Sequence, residues 1–242
     1  MNGQEHHLEP SENRLAQLRE RIRSTEARIA AACARAGRAR NEIGVIAVTK
    51  YVSVETAALA VAEGLTHAGE NRVQDALPKL QHIGDKAVWH FIGHLQSNKV
   101  KDVVGRFAYI HSLDRLSLAK EINRIALNRG LRVRCFLQVN VSGEETKHGL
   151  RPEQLIPFAA ELANLPGIEP IGLMTMAPYE AEPEATRPVF RGLRELRDEL
   201  NARAVLPDPV RELSMGMSND FEIAIEEGAT WIRLGSVLVG RE

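Results

Sequence analysis

The feature that most narrows the fold is an alternation. Eight short apolar or β-branched runs are separated by stretches of helical periodicity. The expected strands are 43–49, 66–68, 88–92, 107–111, 133–141, 170–176, 212–215 and 231–234. The expected helices between them are 54–63, 72–82, 95–104, 115–128, 152–164, 185–202 and 219–227. Residues with capping or stopping chemistry stand at several boundaries, among them Ser53, Gly64, Asp114 and Ser218. Eight strands with crossover helices are what closes a (β/α)8 barrel, and such barrels occupy about 250 residues, close to the 242 here. A doubly wound open sheet is the runner-up, because alternation alone does not demonstrate closure.

One more helical pattern precedes the first strand. Leu15, Leu18, Ile22 and Ile29 share a face, Ser11 is placed to cap it and Gly37 to stop it. The chain is therefore read as a polar flexible tail, 1–10, followed by a single barrel domain, 11–242, with an extra N-terminal helix. The last strand leaves little sequence for a further domain. At 44% hydrophobic residues the chain can fill a sizeable core. A net charge of −1 with no basic stripe argues against a nucleic-acid partner. The polar start has no signal-peptide core, and no apolar run reaches membrane-spanning length. Cys33 and Cys135 read as reduced, partly buried thiols. These features together lead us to expect a cytoplasmic protein with no membrane partner. The acidic, proline-containing stretch "APYEAEPEATRP" reads as a solvated loop.

In a barrel of this kind chemistry gathers at the C-terminal ends of the strands. Lys50 follows the first strand, where it is either a solvated strand end or an amine placed to attack a carbonyl. "SMGMS", Ser214–Ser218, follows the seventh strand and "RLGS", Arg233–Ser236, ends the eighth. Loops after strands seven and eight form the common phosphate site of this architecture. Ser218 as a helix cap, with Asp220 in the first turn, is the plainer reading of the first turn. An amine facing two small-residue turns suits a phosphorylated carbonyl compound, and pyridoxal 5'-phosphate (PLP) is the candidate. Arg233 is either the partner of its ring nitrogen or half of a structural ion pair; as a guanidinium it donates and cannot accept a proton. Asn71 is either a ring contact or a cap with Gln74 as its capping-box partner. His90 is either a core histidine or a cofactor contact. His90 and His94 span a strand end and a helix start and give no metal site.

The chain resembles the pyridoxal phosphate homeostasis proteins, single-domain relatives of the alanine racemase barrel (fold type III of the PLP-binding proteins). The stretches that carry the likeness are "AVTKYVS", "GENRVQDALPK", "WHFIGHLQSNK", "IHSLDR", "QVNVSGEETKHG", "GLMTMAP" and "ELSMGMSNDFEIAIEEGATWIRLGSVLVG", in order along nearly the whole chain. The resemblance implies that Lys50 holds PLP as an aldimine. It sets the phosphate against Ser214, Met217 and Ser218 on one turn and Gly235 and Ser236 on the other. Asn71 and Arg233 flank the ring. Threonine is frequent in the family where this chain has Ser236, and the hydroxyl is kept. It further implies a role in balancing vitamin B6 pools without established catalysis, with PLP-dependent apo-enzymes as recipients and a monomer or weak dimer as the assembly. A PLP-dependent amino-acid racemase is the alternative. That reaction uses a second base, a tyrosine from a C-terminal β-domain, and the strand count leads us to expect a chain without one. Strand alternation puts Tyr51 on the side opposite Lys50. A lysine aldolase acting on a phosphorylated sugar would explain Lys50 and the turns, but not the ordered motifs.

Overall fold

The computed structural model describes residues 10–144, 147–178 and 181–242. Eight parallel strands close on themselves in chain order: β1 (Gly44–Val48), β2 (His67–Glu70), β3 (Val88–Phe91), β4 (Tyr109–Leu113), β5 (Val133–Gln138), β6 (Ile168–Met174), β7 (Glu212–Ser214) and β8 (Trp231–Leu234). The seam is the β1–β8 pairing, with Gly44 opposite Trp231 and Ala47 opposite Leu234. Closure excludes the doubly wound sheet.

Between the strands run α2 (Val54–Ala62), α3 (Val73–Ile83), α4 (Val100–Val103), α5 (Leu116–Asn128), α6 (Leu155–Leu162), α7 (Arg187–Arg203) and α8 (Phe221–Glu226). Their buried residues, such as Ala57, Ala60 and Val61 of α2 or Leu118, Ala119 and Ile122 of α5, form the layer between helices and sheet. Small and branched side chains at i, i+3 and i+4 produce this stripe. Among the described residues, no helix is long and apolar enough to cross a membrane.

α1 (Pro10–Arg35) supplies the helix that β8 lacks. Leu18, Ile29, Ala32 and Cys33 are buried beneath it. Arg28 and Arg35 pair with Glu222 of α8, Arg35 also with Glu226, and Arg19 with Glu63 after α2. The first helix thus fills the gap in the outer ring. Its start corrects two readings. Pro10 is already helical and Ser11 lies inside the first turn rather than at a cap; residues 1–9 of the expected tail are outside the described residues.

Other boundaries move for identifiable reasons. α4 is a single turn, not the helix expected over 95–104, because Leu95 is buried in a loop whose carbonyl accepts from Arg115 Nη2 at 2.7 Å. β4 runs two residues later than expected, taking in Ser112 and Leu113 after His111. Phe107 is buried edge-on against Phe91 before the strand begins. Polar residues mask a strand in the sequence when the barrel interior is itself polar, as it is at this level.

Candidate functional site at the barrel mouth

β1 ends at Val48 and leads into a turn that carries Lys50. The residue before the lysine is tied on three sides. Thr49 N–H donates to Gly69 O (3.1 Å), its Oγ1 donates to Glu70 Oε1 (2.6 Å), and its carbonyl accepts from Lys79 Nζ (2.5 Å). Lys79 also donates to Glu70 Oε1 at 2.8 Å, and both side chains are buried. A buried ion pair on β2 and α3 therefore fixes the direction in which Lys50 leaves the barrel.

Lys50 opens on a cleft of about 370 Å3. Of the residues expected at the site, Lys50, Asn71, Met217, Ser218, Arg233, Gly235 and Ser236 all line it. Sequence positions separated by more than 180 residues converge because β1 and β8 are neighbours only in the closed barrel.

The two small-residue turns meet. Gly216 has φ +91°, and a Cβ there would come within 2.5 Å of Ala224, so the tight exit from β7 demands glycine. Its carbonyl accepts the Arg233 N–H at 3.0 Å. Ser218 does not cap α8; its Oγ accepts the Gly235 N–H at 3.3 Å and so joins the β7 turn to the β8 turn. A Cβ at Gly235 would meet only Val48, at 3.7 Å, an ordinary contact. The protein's own packing does not require glycine at that position, and its absence of a side chain leaves the turn open to the cleft.

Asn71 is not the cap of α3. Arg72 occupies that position, and Asn71 faces the cleft. Its backbone is held close by Gly93, where a Cβ would stand 2.2 Å from Asn71 O.

Arg233 is buried, and among the described residues no carboxylate lies within ion-pair distance of it. The expected alternative, a structural ion pair, is therefore absent there. Its Nη1 donates to Ser214 Oγ (2.7 Å) and Nη2 to Thr175 O (2.9 Å). Burial pulls the guanidinium down to about 10, against a smaller opposing pull from Asp220. Asp220, which sequence reasoning assigned only to a helix turn, also lines the cleft. Its Oδ1 accepts the Met217 N–H at 2.6 Å, and burial raises its carboxyl.

Two expected contacts lie elsewhere. Ser214 is buried beneath Arg233 and His90 is buried deeper on β3; neither lines the cleft. Tyr51 differs in the other sense. Strand alternation ends at Val48, so Tyr51 turns into the cleft and its ring lies 4.7 Å from Lys50 Nζ, on the lysine's own side. Pro178 and Ala181, from the acidic loop, line the cleft as well; Tyr179 and Glu180 between them are outside the described residues. No sequence signal marks these loop residues, since their convergence depends on β6 standing beside β7.

At the rim, His94, Asp114 and His148 bring ligand-type atoms within 4.8 Å of one another. The two imidazoles stack at 4.0 Å with 19° between planes, which sets their nitrogens side by side rather than on one point. Asp114 Oδ1 already accepts from Arg115 at 2.8 Å.

The site fits a phosphorylated aldehyde by its donor set: an amine, a buried guanidinium with no carboxylate in ion-pair reach among the described residues, and two open turns. Comparison with known proteins agrees on the class. Residues 15–242 match the family of the alanine racemase N-terminal domain. A pyridoxal phosphate homeostasis protein of Aquifex aeolicus is 46% identical over 222 residues, 91% of this chain and 96% of that one. The structure of PipY of Synechococcus elongatus with PLP bound superposes with a TM-score of 0.81 at 34% identity, covering 92% of this chain and all of that one. Alanine racemase of Clostridium difficile shares the fold alone, at 19% identity and TM-score 0.71, with 56% of its chain covered. The chain belongs to the alanine racemase N-terminal-domain family and, within it, to the pyridoxal phosphate homeostasis proteins.

Proposed function

We propose that this protein binds pyridoxal 5'-phosphate at the barrel mouth and serves in vitamin B6 homeostasis, as a carrier or regulator rather than a catalyst. The observation that carries this reading is the pairing of Lys50, in the turn after β1, with Arg233 of the neighbouring β8, both facing one cleft without a carboxylate in ion-pair reach among the described residues. When bound, PLP supplies an aldehyde that a lysine amine captures covalently and reversibly. Lys50 is the residue to hold it. Ser218, Met217, Gly235 and Ser236 suit the phosphate, and Asn71 and Arg233 the ring. Arg233 placed at the ring nitrogen would leave that nitrogen unprotonated, since a guanidinium only donates, and would weaken the electron withdrawal that carbanion chemistry needs.

Tyr51 argues against the racemase alternative. A two-base reaction needs its bases on opposite faces of the substrate, and the Tyr51 ring stands beside Lys50 Nζ. Recipients would be PLP-dependent apo-enzymes in the cytoplasm, met by a monomer or weak dimer.

The visible spectrum of the purified protein with added PLP tests the reading. We expect an absorption band of lysine-bound cofactor that is lost in Lys50→Ala. A parent protein that stays colourless and retains no PLP would sink the proposal. Incubation with L-alanine should give no D-isomer above a free-PLP control, and multiple turnovers would favour the racemase.

A further inference from the structure

The barrel interior holds a line of hydrogen bonds that the cleft does not use. His67 Nδ1 meets His90 Nε2 at 2.9 Å, His90 Nδ1 meets His111 Nε2 at 2.9 Å, and His111 Nδ1 meets Ser214 Oγ at 2.9 Å. Ser214 Oγ in turn accepts from Arg233. His67 opens β2 at the end of the barrel away from the cleft and is half-buried; His90, His111 and Ser214 are buried. We propose that these three histidines and Ser214 form a proton-ordered column, set by Arg233 at one end and readable at His67 at the other, which positions Arg233 in the cleft.

The order follows from donor counting. Arg233 can only donate, so Ser214 Oγ is its acceptor and the serine O–H turns to His111 Nδ1. His111, neutral and accepting at Nδ1, carries its hydrogen on Nε2 and donates it to His90 Nδ1. His90 for the same reason donates from Nε2 to His67 Nδ1. One cation thereby decides three tautomers. In the reverse order Ser214 would receive hydrogens from both Arg233 and His111, and its own would be left without a described acceptor.

The surroundings keep the column neutral. Trp231 of β8 lies 4.8 Å from His67 and 5.3 Å from His90, Tyr109 of β4 stacks on His90 at 4.5 Å, and Phe136 of β5 stacks on His111 at 4.2 Å. Among the described residues Tyr109 is the one phenol against the column, and Arg134, 5.6 Å from the Tyr109 ring, is paired with Glu169. Burial, and then His67, pushes His90 down to about 3; burial, then His90 and Arg233, holds His111 well below its ordinary range; burial lowers His67.

An added proton reverses the order. Each bond passes its hydrogen one step toward His67: from His90 to His67, from His111 to His90, from Ser214 to His111. Arg233 Nη1 passes a hydrogen to Ser214 Oγ and regains one from the cleft, which it lines, so one proton is gained in all. The charge rests on His67, the column's best-solvated member. Ser214 then faces two donors, and its hold on Arg233 weakens.

Nitrogen NMR of histidine-labelled full-length protein at neutral pH, without cofactor, tests the column. We expect His67, His90 and His111 to be neutral with hydrogen on Nε2. In Ser214→Ala, which keeps the Arg233 charge but cuts the connection, His90 and His67 should become tautomer mixtures; Arg233→Met should do the same. Nδ1–H on His90 or His111 in the parent, or His67 signals identical in parent and both folded variants, would overturn the proposal. A second measurement rests on the reading of the cleft: PLP dissociation between pH 7 and 5, reaching below the ordinary histidine range, in parent and in His67→Phe. The parent should lose roughly threefold more affinity over that range, the scale of one weakened hydrogen bond, and equal losses would overturn the acid reversal. A protein that binds no PLP refutes the cleft assignment instead, and the NMR pattern still decides the column.

Discussion

Two cations in one cleft would repel unless an anion or a strong dipole stands between them, and at the residue scale this is what defines the mouth of the barrel. Lys50 and Arg233 lack acidic partners there among the described residues, while Asp220, the carboxylate in the cleft, is engaged by the Met217 N–H. Ser218 joins the two turns through the Gly235 N–H. Ser218→Asp puts a negative charge against the proposed phosphate position. We expect PLP retention to fall about tenfold or more, the effect of like charges at close quarters, measured by equilibrium dialysis. Unchanged retention would place the phosphate elsewhere. Ser214 and His90 show the limit of motif reading at this scale. Both lie in matching stretches, yet their partners are each other's neighbours inside the barrel rather than the cleft.

At the scale of elements, the direction of Lys50 depends on a pair it does not touch. Glu70 of β2 and Lys79 of α3 are buried together, and both bind Thr49. Such a pair stabilises little by itself but is costly to break, because a lone charge is left in the interior. Lys79→Met should cost about 3–5 kcal/mol in urea unfolding, with part recovered in Lys79→Met/Glu70→Gln. No recovery in the double variant would show that the loss comes from packing of the lysine stem. A second element-level feature joins α7 to α8. Burial would raise the Glu227 carboxyl, and the bonds from Arg191 and Arg187 outweigh it and hold it below its ordinary range. With Arg35 bridging α1 to Glu226, charged pairs tie three consecutive outer helices around the seam.

For the whole molecule, a polar barrel interior has a consequence for acid stability. His67, His90 and His111 are all lowered by burial, His90 to about 3. An unfolded histidine titrates near 6.5, so below that pH the unfolded chain takes up protons that the folded chain refuses. The stability these groups contribute is complete above about pH 6.5 and is lost as pH falls toward their folded values, at about 1.4 kcal/mol per unit for each histidine. Asp220, raised by burial, acts in the opposite sense and is one group against three. Urea unfolding between pH 6.5 and 5, above the range where most carboxylates titrate, should show this decline, and a flat profile would contradict the neutral column.

Period and count were legible in the chain itself. Eight strand patterns, the helices between them and the residues at strand ends follow from local sterics and hydrophobic spacing, which act over a few residues. They were enough to predict a barrel and to nominate Lys50, Asn71, Ser218, Arg233 and Gly235 for its mouth, all of which line one cleft. Local spacing says nothing about closure, and closure decided the rest. It put α1 into the outer ring, brought Asp220 into the same cleft as Lys50, and turned Ser214 and three histidines from different strands into one line of hydrogen bonds. Those contacts join residues as many as 103 positions apart, and only the shared interior of a closed sheet, where water is excluded and every buried polar atom needs a partner, selects them.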